Sequence, residues 1–182
     1  MPTAVEHPGG SVDLLLKVTG VKSGWIKGES QVSGHVGEID LDAYRWGVIQ
    51  GFDVATGSAT GRRQHKPLIF TFQTCVASPI LYSACCQNEV LKTVVLTCRK
   101  AGGKQQDYMV WTLTNASIRE IKAGYFDHIP SPAAGTAAHP IIAYDEMSIV
   151  YQKIQIEYKP QTKEGGLSAG VVFSDDWSLN YS

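Results

Sequence analysis

Alternation with a period of two dominates this sequence. Val12, Leu14, Leu16 and Val18 alternate with residues that include Asp13 and Lys17; Leu68, Phe70 and Phe72 keep the same period, as do Val94, Leu96 and Cys98. Side chains along a strand point to opposite faces in turn, so this period buries one face and leaves the other to solvent. Later, Ile154, Ile156 and Tyr158 alternate with Lys153, Gln155 and Glu157 in a strand expected over Ser148 to Lys159. The run Tyr108 to Thr114 is aromatic and β-branched and favours another strand, and Ile118 to Phe126 reads as one more. A single segment reads as helix. Ser78 supplies an N-cap, Pro79 suits the first turn, and Leu81, Ala84 and Cys85 follow at helical spacing to an end near Asn88. The fold class is therefore mostly β with one helix, and closure into a small β-barrel would hide the strand edges.

Two strands change phase along their length. Over Glu38 to Gln50, Ile39, Leu41 and Ala43 share one face, whereas Tyr44, Trp46 and Val48 share the other; Ile149 and Tyr151 are likewise out of step with Ile154 and Ile156. A bulge or barrel bend re-aims side chains in this way. The other explanation is that both faces meet protein, one in the core and one at a subunit contact. Between strands lie glycine-rich stretches at 19–37 and 51–65 and the Pro/Ala-rich segment 129–140, and loops of such length are often functional. The stretch LTCRKAGGKQQDYMVW, residues 96–111, sets Gly102 and Gly103 between two strand-like runs. A phosphate loop would need a helix after its glycines, so this is expected to be a hairpin.

A chain of 182 residues suits one domain, 1–182, with residues 1–10 as a flexible extension. A domain of that size buries roughly 70% of its unfolded surface. Apolar residues at 43% and charged residues at 18% fit a folded globular chain, not a disordered one. The net charge of -1 gives no reason to expect a nucleic-acid partner, and the short basic stretch Gly61-Arg62-Arg63-Gln64-His65-Lys66 reads as a solvated loop. No apolar run approaches the roughly 20 residues of a membrane span, so no membrane insertion is expected. MPTAVEHPGG has no basic region followed by an apolar one, which predicts folding in the cytoplasm and any export without a cleaved leader.

Cys75, Cys85, Cys86 and Cys98 show no CxxC or zinc spacing, and the five histidines are scattered. No metal, no cofactor and no disulfide are expected. Cys85 and Cys86 have no histidine nearby in sequence to make a nucleophile. Asp40 and Asp42 share a strand face and imitate a carboxylate pair, but they read as solvated or interface charges. The chain is expected not to be an enzyme. Without further information, a monomeric β-barrel that binds a small ligand in an apolar cavity remains an alternative.

The order of several motifs resembles the haemolysin-coregulated protein (Hcp) family, tube subunits of bacterial type VI secretion. The residues that carry the resemblance begin with Gly28-Glu29-Ser30, His35, Gly37-Glu38-Ile39-Asp40 and Trp46-Gly47. They continue with Ser78-Pro79, Thr97-Cys98-Arg99-Lys100-Ala101-Gly102-Gly103, Glu157-Tyr158-Lys159-Pro160-Gln161, Gly165-Gly166 and Trp177. Departures are the first ten residues, an insertion around Trp25, Tyr44-Arg45-Trp46 in place of two tryptophans flanking a small residue, and the Pro/Ala-rich segment 129–140.

The resemblance implies a small β-barrel of two packed sheets with one flanking α-helix, assembled into hexameric rings that stack into a hollow tube. A contractile machine drives that tube out of the bacterial cytoplasm without a signal peptide, with effectors in its lumen. Spike, sheath and baseplate proteins and lumenal effectors would be its partners. Glu29, Ser30 and His35 in the long loop, and Lys100, Gly102 and Gly103 in the hairpin, are the candidates for ring stacking or interface contact. If Tyr44, Trp46 and Val48 face the core, Arg45 must face the other way, where a ring of arginines would line the lumen and hold acidic cargo. A competing expectation is that Arg45 pairs with an acid across the subunit interface.

Overall fold

A computed structural model describes residues 12–58, 61, 63–100, 106–124, 143–160 and 166–177. The N-terminal extension, the hairpin tip with Gly102 and Gly103, Gly165 and the segment 129–140 lie outside the described residues. In chain order the elements are β1 (Val12–Gly20), β2 (Gly24–Ile26), β3 (Ile39–Leu41), β4 (Ala43–Arg45), β5 (Val48–Ile49), β6 (Gln64–His65), β7 (Leu68–Gln73), α1 (Ser78–Cys86), β8 (Val90–Lys100), β9 (Gln106–Gly124), β10 (Tyr144–Tyr158) and β11 (Val171–Asp176). Part of the stretch read as an irregular excursion, 19–37, thus belongs to the β1–β2 hairpin. The two strands expected around Tyr108 and Ile118 are one 19-residue strand, β9.

Nine strands share one antiparallel sheet, whose main path runs β2-β1-β8-β9-β10-β7-β4. Closure comes from the short segment 39–45. Its first half, β3, pairs with β1 through Leu14↔Leu41 and Leu16↔Ile39; its second half, β4, pairs with β7 through Ala43↔Thr71 and Arg45↔Ile69. Between them the Asp42 N–H donates to the Thr71 carbonyl at 2.9 Å. A seven-residue stretch therefore joins the two ends of the strand path into a barrel, and its bend at Asp42 is the phase change seen in the sequence. Ile39 and Leu41 are buried, as expected, whereas Ala43 is exposed.

The other phase change has the same kind of origin. On β8 the buried series passes from Leu91 to Val94, Leu96 and Cys98; on β9 it passes from Trp111 and Leu113 to Ala116 and Ile118; on β10 it passes from Met147 and Ile149 to Ile154. All three shift parity at one level of the sheet, which holds Lys92, Asn115 and Gln152. Asn115 sits there at φ 49, a left-handed conformation that asparagine tolerates better than most residues, and its Nδ2 donates to Gln152 Oε1 at 3.0 Å. Both phase changes are bends within one chain, so neither requires a subunit contact.

The helix stands where the sequence places it, with a different cap. Ala77 is the N-cap and makes no side-chain capping bond. Ser78 is already helical, and its hydroxyl accepts the Cys75 N–H at 3.1 Å and donates to the buried Asp145 carboxylate on β10. Ala77, Leu81 and Ala84 join the same apolar core as Phe70, Phe72, Leu96, Leu113 and Met147.

Candidate functional site

The long loop and the hairpin stem, the two regions expected to make contacts between rings, are fastened to each other. The arms of the loop are laced by backbone bonds from Gly28 N to Gly37 O at 2.8 Å, Ser30 N to Glu38 O at 3.0 Å and Gly37 N to Ser30 O at 2.9 Å. Only glycine fits at position 28, because a Cβ there would lie 2.5 Å from the Glu38 carbonyl oxygen. His35 Nδ1 stands 3.0 Å from Glu38 Oε2, and its Nε2 stands 3.3 Å from both carboxylate oxygens of Asp107 on β9. Arg99, opposite Asp107 on β8, donates to the Ser33 carbonyl and pairs with Asp107 at 3.5 Å. Ser30 is fully buried and the His35 ring nearly so, so these two candidates hold the loop in shape and are not surface contacts themselves. Glu29 is exposed and accepts the Val76 N–H at 3.2 Å, while Lys100 ends β8 half-buried.

Arg45 does face away from its neighbours. Tyr44 and Trp46 turn inward, with ring centroids 5.6 Å and 5.4 Å from Trp111, and Trp46 Nε1 donates to the Tyr151 hydroxyl at 2.5 Å. Burial, and after it Cys98, pushes the Tyr44 phenol up; burial, with Asp175 nearby, pushes Tyr151 up to about 12. Val48 breaks the expected pattern. It is 50% exposed, because after Gly47 the chain leaves the barrel and pairs β5 with β6, the Lys66 N–H donating to the Gly47 carbonyl at 2.8 Å.

Register places Arg45 in an outward row with Ile69, Ser148 and Glu120, beside a row of Ala43, Thr71, Glu146 and Lys122. Arg45 meets Glu146 of its own chain at 3.1 Å, and Lys122 meets Glu120 at 3.2 Å. A cleft of about 650 Å³ opens on this face, lined among others by Arg45, Trp46, Lys66, Ile69, Arg119 and Glu146. A smaller cleft of about 300 Å³, at the Gln73 end of β7, brings Asp40 and Asp42 together with Glu29. There burial, and then Asp40, pushes the Asp42 carboxyl up.

Three anchors were not visible in the sequence. Glu89, just before β8, accepts the N–H groups of Lys22 and Ser23 and the Ser23 hydroxyl, each at 2.7 Å, which lowers its carboxyl pKa. Asp145 accepts from the hydroxyls of Ser78 and Tyr82. Asp175 on β11 meets His65 at 2.7 Å and both Arg63 donors, and chiefly Arg63 holds its carboxyl low. The basic stretch read as a solvated loop is thus partly a clamp on the C-terminal strand. His65 also stands 3.1 Å from the Tyr151 hydroxyl, so the Trp46–Tyr151 bond and the Asp175 clamp meet at its ring.

All four cysteines are free, and among the described residues no group of three or more His, Cys, Asp or Glu is placed to hold a metal ion. The barrel interior is filled: Phe70, Phe72, Leu96, Leu113 and Met147 are at most 1% exposed. Among the described residues the barrel core is thus packed with side chains, which gives the small-ligand alternative no support.

The sequence matches, over residues 15–158, the family model described as "Type VI secretion system effector, Hcp". A protein of Pseudomonas aeruginosa named "Major exported protein" is 27% identical over 173 residues, which span 89% of this chain and 93% of that protein. A solved Hcp protein superposes with a TM-score of 0.73 at 25% identity, covering 92% of this chain and 98% of the other. The secreted protein Hcp3 from Pseudomonas aeruginosa shares the fold at a TM-score of 0.65 and 22% identity, covering 92% of this chain and 99% of its own.

Proposed function

The chain belongs to the Hcp family of type VI secretion, and from that membership we propose how its barrel is used. It is a structural subunit of the type VI tube. Its subunits form hexameric rings that stack into a hollow tube, which leaves the bacterial cytoplasm through the type VI machine. Effectors travel in the lumen, and spike, sheath and baseplate proteins meet the tube outside or at its end. The chain performs no catalytic step. The observation that carries this reading is the family match over residues 15–158, supported by a superposable fold over 92% of the chain.

In such a ring each barrel meets its neighbour through two different surfaces, since a closed ring is built from heterologous contacts. Glu29 and Lys100, together with Gly102 and Gly103, make the contacts between stacked rings. Ser30 and His35 support them from within by holding the loop against the hairpin stem. Arg45 faces the lumen. Its partner Glu146 lies in the same chain, and the Arg45 side chain is 58% exposed, so the pair is weak enough to open toward cargo.

Negative-stain microscopy of the purified protein tests the reading: rings are expected, and a field of single barrels would overturn it. Arg45→Glu tests the lumen assignment. Rings should persist while effector retention changes, whereas loss of the rings would make Arg45 an assembly residue.

A further inference from the structure

The cleft beside Arg45 carries more positive charge than the fold uses. Four cations line it, Arg45, Lys66, Arg119 and Lys122, against two acids, Glu120 and Glu146. Arg45 takes Glu146 and Lys122 takes Glu120. The side chains of Lys66 and Arg119 make neither a hydrogen bond nor an ion pair among the described residues, and both residues are exposed. Arg119 is also the product of an irregularity. The β9–β10 register passes from Glu120↔Ser148 to Ile118↔Ile149, so Arg119 is an extra residue with no opposite number on β10. Bulges of this kind re-aim one side chain while the strand continues, and here that side chain lines the cleft. Pro67 and Ile69 give the same cleft an apolar component. Its volume of about 650 Å³ falls in the range of ligand-binding clefts.

We propose that this cleft docks an acidic peptide segment, whose carboxylates meet Lys66 and Arg119 while an apolar side chain rests on Pro67 and Ile69. Two uncommitted cations match a short run of Asp or Glu residues. They are too few for a nucleic acid, whose affinity comes from many phosphate contacts at once, and Glu120 and Glu146 in the walls oppose a continuous polyanion. The proposal rests on the tube reading only for the source of the peptide, which in a ring would be an exposed acidic segment of lumenal cargo. Exposed side chains at the cleft mouth would set capture and its salt dependence, and the contacts buried beneath them would set retention.

The test is fluorescence anisotropy with a fluorescein-labelled hexaglutamate peptide, its hexalysine counterpart and a single-stranded oligothymidylate, each titrated with the full chain. Hexaglutamate should bind and hexalysine should not, and raising salt from about 50 to about 500 mM should weaken binding by tenfold or more. Lys66→Gln and Arg119→Gln should each weaken hexaglutamate binding by about tenfold, with normal circular dichroism, because each removes one charged contact. The cleft is refuted if hexaglutamate does not bind, if neither variant affects binding, or if oligothymidylate binds as well with the same dependence on Lys66 and Arg119. Light scattering on the same samples keeps the two readings apart. Rings without peptide binding remove the cleft alone; monomers that bind the peptide remove the tube and leave the cleft standing.

Discussion

Glu89 offers the sharpest test of how the barrel is held together. Its carboxylate, 4% exposed, takes the Lys22 and Ser23 N–H groups on one oxygen and the Ser23 hydroxyl on the other. It thereby fixes the β1–β2 turn against the start of β8. Glu89→Ala removes the carboxylate oxygen that accepts two backbone donors, each costing about 1–3 kcal/mol when left unpaired, so the expected loss is about 2–6 kcal/mol. Glu89→Gln keeps an acceptor oxygen and loses the charge, and should cost about 1–2 kcal/mol at neutral pH.

The pH dependence has a definite sign. Hydrogen bonds from Ser23 depress the Glu89 pKa in the folded state, so its contribution is complete above the unfolded carboxyl's value, about 4.3, and is lost as pH falls through the lower folded value. The gap between wild type and Glu89→Gln should therefore be full at pH 7 and should narrow through the acid range. Urea unfolding followed by tryptophan fluorescence, at one protein concentration, measures both effects. A Glu89→Ala loss below about 0.5 kcal/mol, or a Glu89→Gln gap that stays constant with pH, would refute the reasoning.

Tyr82, pushed up to about 12 by burial and then by its bond to Asp145, should ionise at lower pH in Asp145→Asn, as read by ultraviolet titration; an unchanged midpoint would contradict the contact. Native thiol titration should find Cys86 fast, Cys85 slower and Cys98 unreactive until unfolding, since Cys86 is exposed, Cys85 half-buried, and burial pushes Cys98 up to about 11. Equal rates for Cys85 and Cys86 would contradict the helix orientation. Trp46→Phe should cost about 1–3 kcal/mol by removing the bond to the Tyr151 hydroxyl and part of the packing on Trp111, measured by the same urea assay.

Strands β1, β7 and β8 and the helix were legible from local signals, apolar alternation and Ser78-Pro79, although on β1 Val12 is exposed and Leu15, on the opposite face, is buried. What failed depends on residues distant in sequence. Ser78 reads as an N-cap only while its hydroxyl is taken to be uncommitted, and Asp145, 67 residues on, claims it. His65 and Arg63 look solvated because their partner Asp175 lies 110 and 112 residues away. Val48 continued the apparent alternation of Tyr44 and Trp46, and nothing before Gly47 signals that the strand ends there. Residues 108–114 and 118–126 read as two strands, whereas the left-handed backbone of Asn115 keeps one strand continuous while turning its faces. The phase change at Asp42 was visible, and the structure assigns it to barrel closure. The tube function came from the resemblance of ordered motifs, which no periodicity could supply, and the family match over residues 15–158 carries it now.

The central claim is that this barrel is one unit of a ring. Multi-angle light scattering of the purified chain across a wide concentration range measures it directly. The expected mass is close to that of a hexamer of the 19.8 kDa chain, whereas a mass of one chain at every concentration would contradict the account.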